Sequence, residues 1–145
     1  MTDNLLTFTM CGQLLGIDVT LVKEINRGVE YTPIPGVKDH IVGFFNMRGQ
    51  VVTLFDLAKL LGLGERKQQE KLTCIILKNP KDPDQVGFLI DSSGDVLEID
   101  RDEYEVPPAN VGLIESEFID SVIKLKEELL IVLNPSKIFR ESHES

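Results

Sequence analysis

The sequence predicts an all-β, barrel-like fold, and three observations carry that expectation. Short stretches alternate apolar and polar residues, the period of a strand with one buried face. Gly, Pro, Asn and Asp punctuate those stretches. Helical patterns are few and never longer than about two turns, so sheet must supply the architecture. The chain has 145 residues, of which 42% are hydrophobic, enough for a real core although Trp is absent.

The elements follow in order. Leu6, Phe8 and Met10 alternate with Thr7 and Thr9, a strand with one apolar face. Cys11-Gly12 is a turn, and Gln13 to Ile17 a second strand. Asp18 can cap a short helical turn in which Val19, Val22 and Ile25 share a face. The segment from Tyr31 to Gly36 reads as a loop, because its prolines cannot donate to a ladder. A hairpin comes next: Ile41 to Met47 and Gln50 to Phe55 flank Arg48-Gly49, where glycine supplies positive φ. Asp56 then caps a short helix whose face is Leu57, Leu60 and Leu61, stopped by Gly62. The stretch from Gly64 to Lys71 is polar and aperiodic, a linker that sets approximate lobes at 1–66 and 67–145. Strands are expected at Leu72 to Leu77, Gln85 to Asp91 and Val96 to Ile99, with a loop from Asn79 to Asp84 and a turn from Ser92 to Asp95. After a longer loop from Val106 to Gly112, Ile119 to Leu125 and Leu129 to Leu133 form a hairpin. Asn134 caps a last helix with Pro135 at its first position, and the tail from Glu141 is polar.

The two halves echo each other. Leu6-Thr7-Phe8 matches Leu72-Thr73-Cys74, and Gly16-Ile17-Asp18 matches the run from Gly87 to Asp91. Lys23-Glu24-Ile25 matches Leu97-Glu98-Ile99, and the run from Phe55 to Leu61 matches that from Leu133 to Phe139. The echoes keep their order while their spacing grows, as when loops lengthen in one copy of a duplication. Two small lobes of one construction would have marginal separate cores, so they should pack together and leave a seam.

Charge excludes several function classes. The net charge of −9 repels nucleic-acid phosphates and anionic membrane surfaces. No stretch approaches the roughly 20 apolar residues of a spanning helix. The amino terminus lacks the basic and apolar regions of a signal peptide, so a soluble cytoplasmic protein is expected. Cys11 and Cys74 sit in apolar surroundings and read as core residues. His40 and His143 have no metal-ligand spacing, the acidic run Asp100 to Glu105 does not match a calcium loop, and no nucleophile elbow or phosphate loop occurs. Neither metal nor cofactor nor enzymatic activity is expected.

At the hairpin the pattern becomes specific. Ile41, Gly43, Asn46, Arg48, Gly49, Val51, Asp56 and Leu57 fall where the signature of the CheW family has its fixed positions. The order Leu6-Thr7-Phe8, Gly16-Ile17-Asp18, Val22 to Ile25, Val86-Gly87-Phe88 and Asp95-Val96-Leu97 also resembles that family. The likeness runs over nearly the whole chain. Ser92-Ser93 and the stretch Ile119 to Val122 depart from it, which makes the second half the more diverged.

The resemblance implies two SH3-like or OB-like five-stranded β-barrel lobes, partly strand-swapped, with a third core between them. It implies an adaptor in bacterial chemotaxis that joins the cytoplasmic tips of methyl-accepting chemoreceptors to the regulatory domain of the histidine kinase CheA. It also implies receptor-side roles for Val22, Glu24, Ile25, Gly43, Asn46 and Arg48, and leaves the kinase contacts unassigned. Arg48 carries five donors in a fixed fork, suited to a carboxylate or carbonyl at a seam. A scaffold of another chemosensory pathway, such as pilus motility, fits the same residues. A small-ligand β-barrel would need aromatic pocket faces, yet aromatics are only 6% of the chain. A carboxylate-based hydrolase would need two close carboxylates in a cleft.

Overall fold

The structure, a computed structural model, describes residues 1–34, 40–64, 71–78, 85–108, 110–111 and 114–138. The expected loop at 79–84, most of the linker, and the tail lie outside the described residues, as does His143.

Thirteen strands are present among the described residues. They are β1 (Thr2–Met10), β2 (Gln13–Asp18), β3 (Val22–Val29), β4 (Thr32–Pro33), β5 (Ile41–Met47), β6 (Gln50–Asp56), β7 (Leu72–Leu77), β8 (Gln85–Ile90), β9 (Ser92–Asp100), β10 (Asn110–Val111), β11 (Ile114–Glu115), β12 (Ile119–Lys124) and β13 (Leu129–Leu133). One helix, α1 (Leu57–Leu61), follows β6, and a helical turn covers residues 135–138. The expected all-β class is what the chain adopts.

A five-stranded sheet has the order β12-β13-β2-β1-β9, and a six-stranded sheet the order β3-β7-β8-β6-β5-β4. The small pair β10-β11 stands apart. The six-stranded sheet is built from one continuous stretch, residues 22–90, while the five-stranded sheet takes strands from both sides of it. Sheet membership therefore changes at Val19–Leu21 and at Asp91, and not near residue 66 where the polar linker placed a lobe boundary. Asp91 is buried at its crossing point, and its Oδ2 accepts from Cys11 N at 2.8 Å.

The duplication is legible in the pairing. In β2, Gly16 lies between Thr7 and Val132; in β8, Gly87 lies between Ile76 and Leu54. Both glycines join an antiparallel neighbour to a parallel one. This register makes Leu6 the counterpart of Ile75, so the sequence match of Leu6 to Leu72 is out of step. The hairpins agree in detail, since each has a register shift at the same place, between Ile41 and Gly43 and between Ile119 and Ser121.

Strand alternation distributes the apolar residues over three cores. Each sheet surrounds one of its own: Leu5, Ile99, Ile123, Leu130 and Val132 in the five-stranded sheet, and Val29, Phe45, Val52, Leu54, Cys74 and Leu89 among those of the six-stranded sheet. The third and largest lies between the sheets, with Phe8 of β1 against Phe88 of β8 at 5.5 Å between ring centroids, and Phe55 against the same ring at 5.6 Å. Burying such rings stabilises by about 1.5–3 kcal/mol each.

Four expectations of local structure change. Within the expected loop from Tyr31 to Gly36, Thr32–Pro33 pairs as β4 at the sheet edge, where proline is tolerated, and within the expected loop from Val106 to Gly112, Asn110–Val111 pairs as β10. The helical face of Val19, Val22 and Ile25 is a single 3-10 turn, Val19–Leu21, capped by Asp18; Val22 and Ile25 belong to β3. Ladder bonding to β7 wins, as β-branched residues favour. Ser92 to Asp95 is not a turn but the start of β9, irregular opposite Leu6 to Phe8. There Thr7 Oγ1 donates to the carbonyl of Asp95 at 2.7 Å, and a Cβ on Gly94 would meet that Oγ1 at 2.6 Å. Glycine thus serves a bulge here.

Candidate functional site

The β5–β6 hairpin turns on Arg48 (φ 50°) and Gly49 (φ 82°), between the paired residues Met47 and Gln50. Positive φ at both central positions matches the right-handed twist of the flanking strands. The same geometry recurs at Cys11 (φ 52°) and Gly12 (φ 79°).

Strand alternation sends Phe45 and Met47 into the core of the six-stranded sheet, and Phe44 and Asn46 outward. On the neighbouring strand Val51 faces outward opposite Asn46, and Thr53 opposite Phe44. Further along this outer face, Phe55 is covered by the shared core. Phe44 (36% exposed) and Val51 (52% exposed) are not, so the hairpin carries an apolar patch to solvent.

The tip of the hairpin is tied to β3, which is not its neighbour in the sheet. Arg48 Nη2 donates to Glu24 Oε2 at 2.8 Å. Gln50 Oε1 accepts from Lys23 Nζ at 3.4 Å and also from Gln85 Nε2. Arg48 is largely in solvent, so the ion pair contributes at most about 1 kcal/mol of stability. Its geometric effect is to fix the hairpin tip over β3.

The residues singled out in the sequence divide into groups. Glu24 and Arg48 are brought together as this pair. Asn46 is exposed beside Val51. Val22 and Ile25 are half-buried and pack against the shared core. Gly43 is buried for a backbone reason: a Cβ there would lie 2.2 Å from the carbonyl oxygen of Thr32, so glycine lets β4 pair with β5. The exposure of Phe44 and Val51 escaped sequence reading, because apolar residues at outward positions look like core until one knows where the second sheet stops.

Chemistry is sparse around this surface. Cys74 is buried and its thiol is pushed up to about 12, by burial first and by the Glu24 charge as well. It is protonated and shielded at neutral pH. No cluster of His, Cys, Asp or Glu able to hold a metal occurs among the described residues. No helix among them is long and apolar enough to cross a membrane.

Residues 4–143 match the CheW-like domain. The chain belongs to the CheW family. Chemotaxis protein CheW of Bacillus subtilis is 30% identical over 144 residues, covering 99% of this chain and 91% of that protein. The protein of the same name from Thermotoga maritima is 30% identical over 136 residues, covering 94% and 87%. Among solved structures, the scaffolding protein TtCheW from Thermoanaerobacter tengcongensis superposes with a TM-score of 0.81 at 28% identity, over 92% of this chain and 85% of that one. Chemotaxis scaffolding is thus the setting of the CheW fold that this chain shares.

Proposed function

We propose that the chain is a chemotaxis adaptor that couples the cytoplasmic tips of chemoreceptors to the regulatory domain of the histidine kinase CheA. It acts in the cytoplasm by positioning partners and catalyses no reaction. The observation that carries this reading is the CheW match over residues 4–143, with the hairpin motif folded as an exposed, pinned turn.

Receptor coupling falls to the region of Val22, Glu24, Ile25, Gly43, Asn46 and Arg48. Of these, Asn46 and Arg48 offer exposed polar groups, Glu24 orients Arg48, and the other three shape the backbone and core beneath. The outward patch of Phe44 and Val51 adjoins Asn46 and offers an apolar surface to a partner.

The test is co-sedimentation with receptor fragments and kinase, with kinase activity as a second readout. Arg48→Glu and Val22→Asp should each lower coupling at least tenfold. The exchanged pair Glu24→Arg with Arg48→Glu should recover most of it if the pair acts by holding the hairpin. Parental coupling in both single variants would remove these residues from the site.

A further inference from the structure

A cavity of about 180 Å³ opens at one end of the five-stranded sheet, far in sequence from the hairpin motif. Leu5, Leu21 and Val132 line it apolarly, and Asp3, Asp18, Asp120 and Tyr104 stand around it. Water-sized groups occupy about 30 Å³ each, so it has room for several. Tyr104 Oη donates to Asp3 Oδ2 at 3.0 Å, and Arg101 Nη2 lies 3.2 Å from Asp3 Oδ1. Asp18 Oδ1 accepts from the amide and hydroxyl of Thr20. Burial, the bond to Asp3, and the charges of Asp3, Asp120 and Asp18 together push the Tyr104 phenol up to about 12, so all three carboxylates act on one small space.

The duplication supplies an internal control. The pair Leu5–Asp18 corresponds to Cys74–Leu89, which makes Leu89 the counterpart of Asp18 and Leu72 that of Asp3. The shared register shift makes Val42 the counterpart of Asp120. The bridge of Glu105 to Val122 corresponds to the pair Thr32–Phe44, which makes Tyr31 the counterpart of Tyr104. In the six-stranded sheet the counterpart positions are apolar or aromatic: Leu89 is in the core, and Tyr31, Val42 and Leu72 pack against it. The same construction thus carries packed apolar side chains at this end in one copy and carboxylates around a cavity in the other. Three positions that are apolar in one copy are carboxylates in the other, around an open space.

We propose that this cavity is a socket for a single Lys or Arg side chain of a protein partner. Laid across the opening, the methylene stem of such a side chain meets the apolar floor of Leu5 and Val132, and its charged head meets the carboxylates at the edge, where bonds to carboxylates are the stronger kind. Three carboxylates stand against two cations, Arg101 paired with Asp3 and the amino terminus, whose charge also acts on Asp3. A bare metal ion fits less well, because no set of three or more ligands converges among the described residues. The socket does not depend on the receptor–kinase reading.

The test is a ¹H–¹⁵N NMR titration of the full chain with Nα-acetyl-arginine methylamide. The norleucine analogue and magnesium chloride serve as comparisons at matched ionic strength. Saturable shifts are expected at the amides of Asp3, Asp18, Leu21, Tyr104 and Asp120 with the arginine probe and not with norleucine. Asp120→Val, which installs the counterpart residue, should abolish them, and Asp120→Asn, which keeps the shape, should weaken saturation roughly fivefold. Shifts spread over the acidic surface without saturation, an unchanged response in Asp120→Asn, or tighter saturation by magnesium at the same amides would overturn the proposal.

Discussion

Gly43 is held between two strands by a distance rather than by a conformation. A methyl group at this position would sit 2.2 Å from the Thr32 carbonyl oxygen, which is backbone and has little room to yield. Gly43→Ala should therefore cost about 1–3 kcal/mol or release β4 from the sheet edge. The urea midpoint reads the first outcome and faster amide exchange at Phe44 the second. Its counterpart in the other sheet, Ser121, carries a side chain; on the side away from β13, the pairing among the described residues is the isolated bridge of Glu105 to Val122. Cys74 illustrates a buried thiol. Its ordinary value is 9.0, and burial moves it to about 12 in the fold. Between those values the unfolded chain has lost a proton that the folded chain keeps, so stability is full below pH 9 and falls as pH rises toward 12. Unfolding free energies from pH 8 to 11 should fall more steeply in the parent than in Cys74→Ala. Tyr104, raised from 10.0 to about 12, keeps part of the slope in both.

At the scale of elements, caps and turns give the clearest link from residue type to structure. Asp56 ends β6 and accepts from Lys59 N at 3.3 Å, while its own amide donates to the His40 carbonyl at 2.6 Å. Gly62 closes the helix in the left-handed region. Asp56→Ala should destabilise by about 1 kcal/mol, and Asp56→Asn by less, since asparagine also caps; thermal melts of the two variants check the order. These features were legible in the sequence because each depends on one or two neighbouring residues. The hairpins at Arg48-Gly49 and at the end of the chain were legible for the same reason. The 3-10 turn at Val19 was not, because whether Val22 and Ile25 lie on a helix or a strand is decided by β7, far along the chain. The bulge at Gly94 depends on Thr7 in the same way. Of the candidate site, the motif named the hairpin, but the Glu24–Arg48 pair and the exposure of Phe44 and Val51 needed the arrangement of two sheets.

At the scale of the whole molecule, the duplication and the sheets do not coincide. The first repeat contributes β1 and β2 to one sheet and β3 to β6 to the other; the second contributes β7 and β8 to the latter and β9, β12 and β13 to the former. A chain cut in the polar stretch after Gly64 therefore yields two fragments, each holding part of both sheets and of all three cores. In the amino-terminal fragment β2 lacks β13 and β3 lacks β7, so both keep unpaired ladder groups and uncovered apolar faces. The shared core has Phe8 and Phe55 on one fragment and Phe88 on the other. Each fragment alone should show neither cooperative melting nor dispersed NMR signals. Mixed in equal amounts, they should regain both as a one-to-one complex, because no strand pairing crosses the cut in a way that needs the linker. Cooperative unfolding of residues 1–66 by themselves would mean that the repeat, rather than the sheet, is the folding unit. The exchange of strands between sheets would then be a late rearrangement instead of the source of stability.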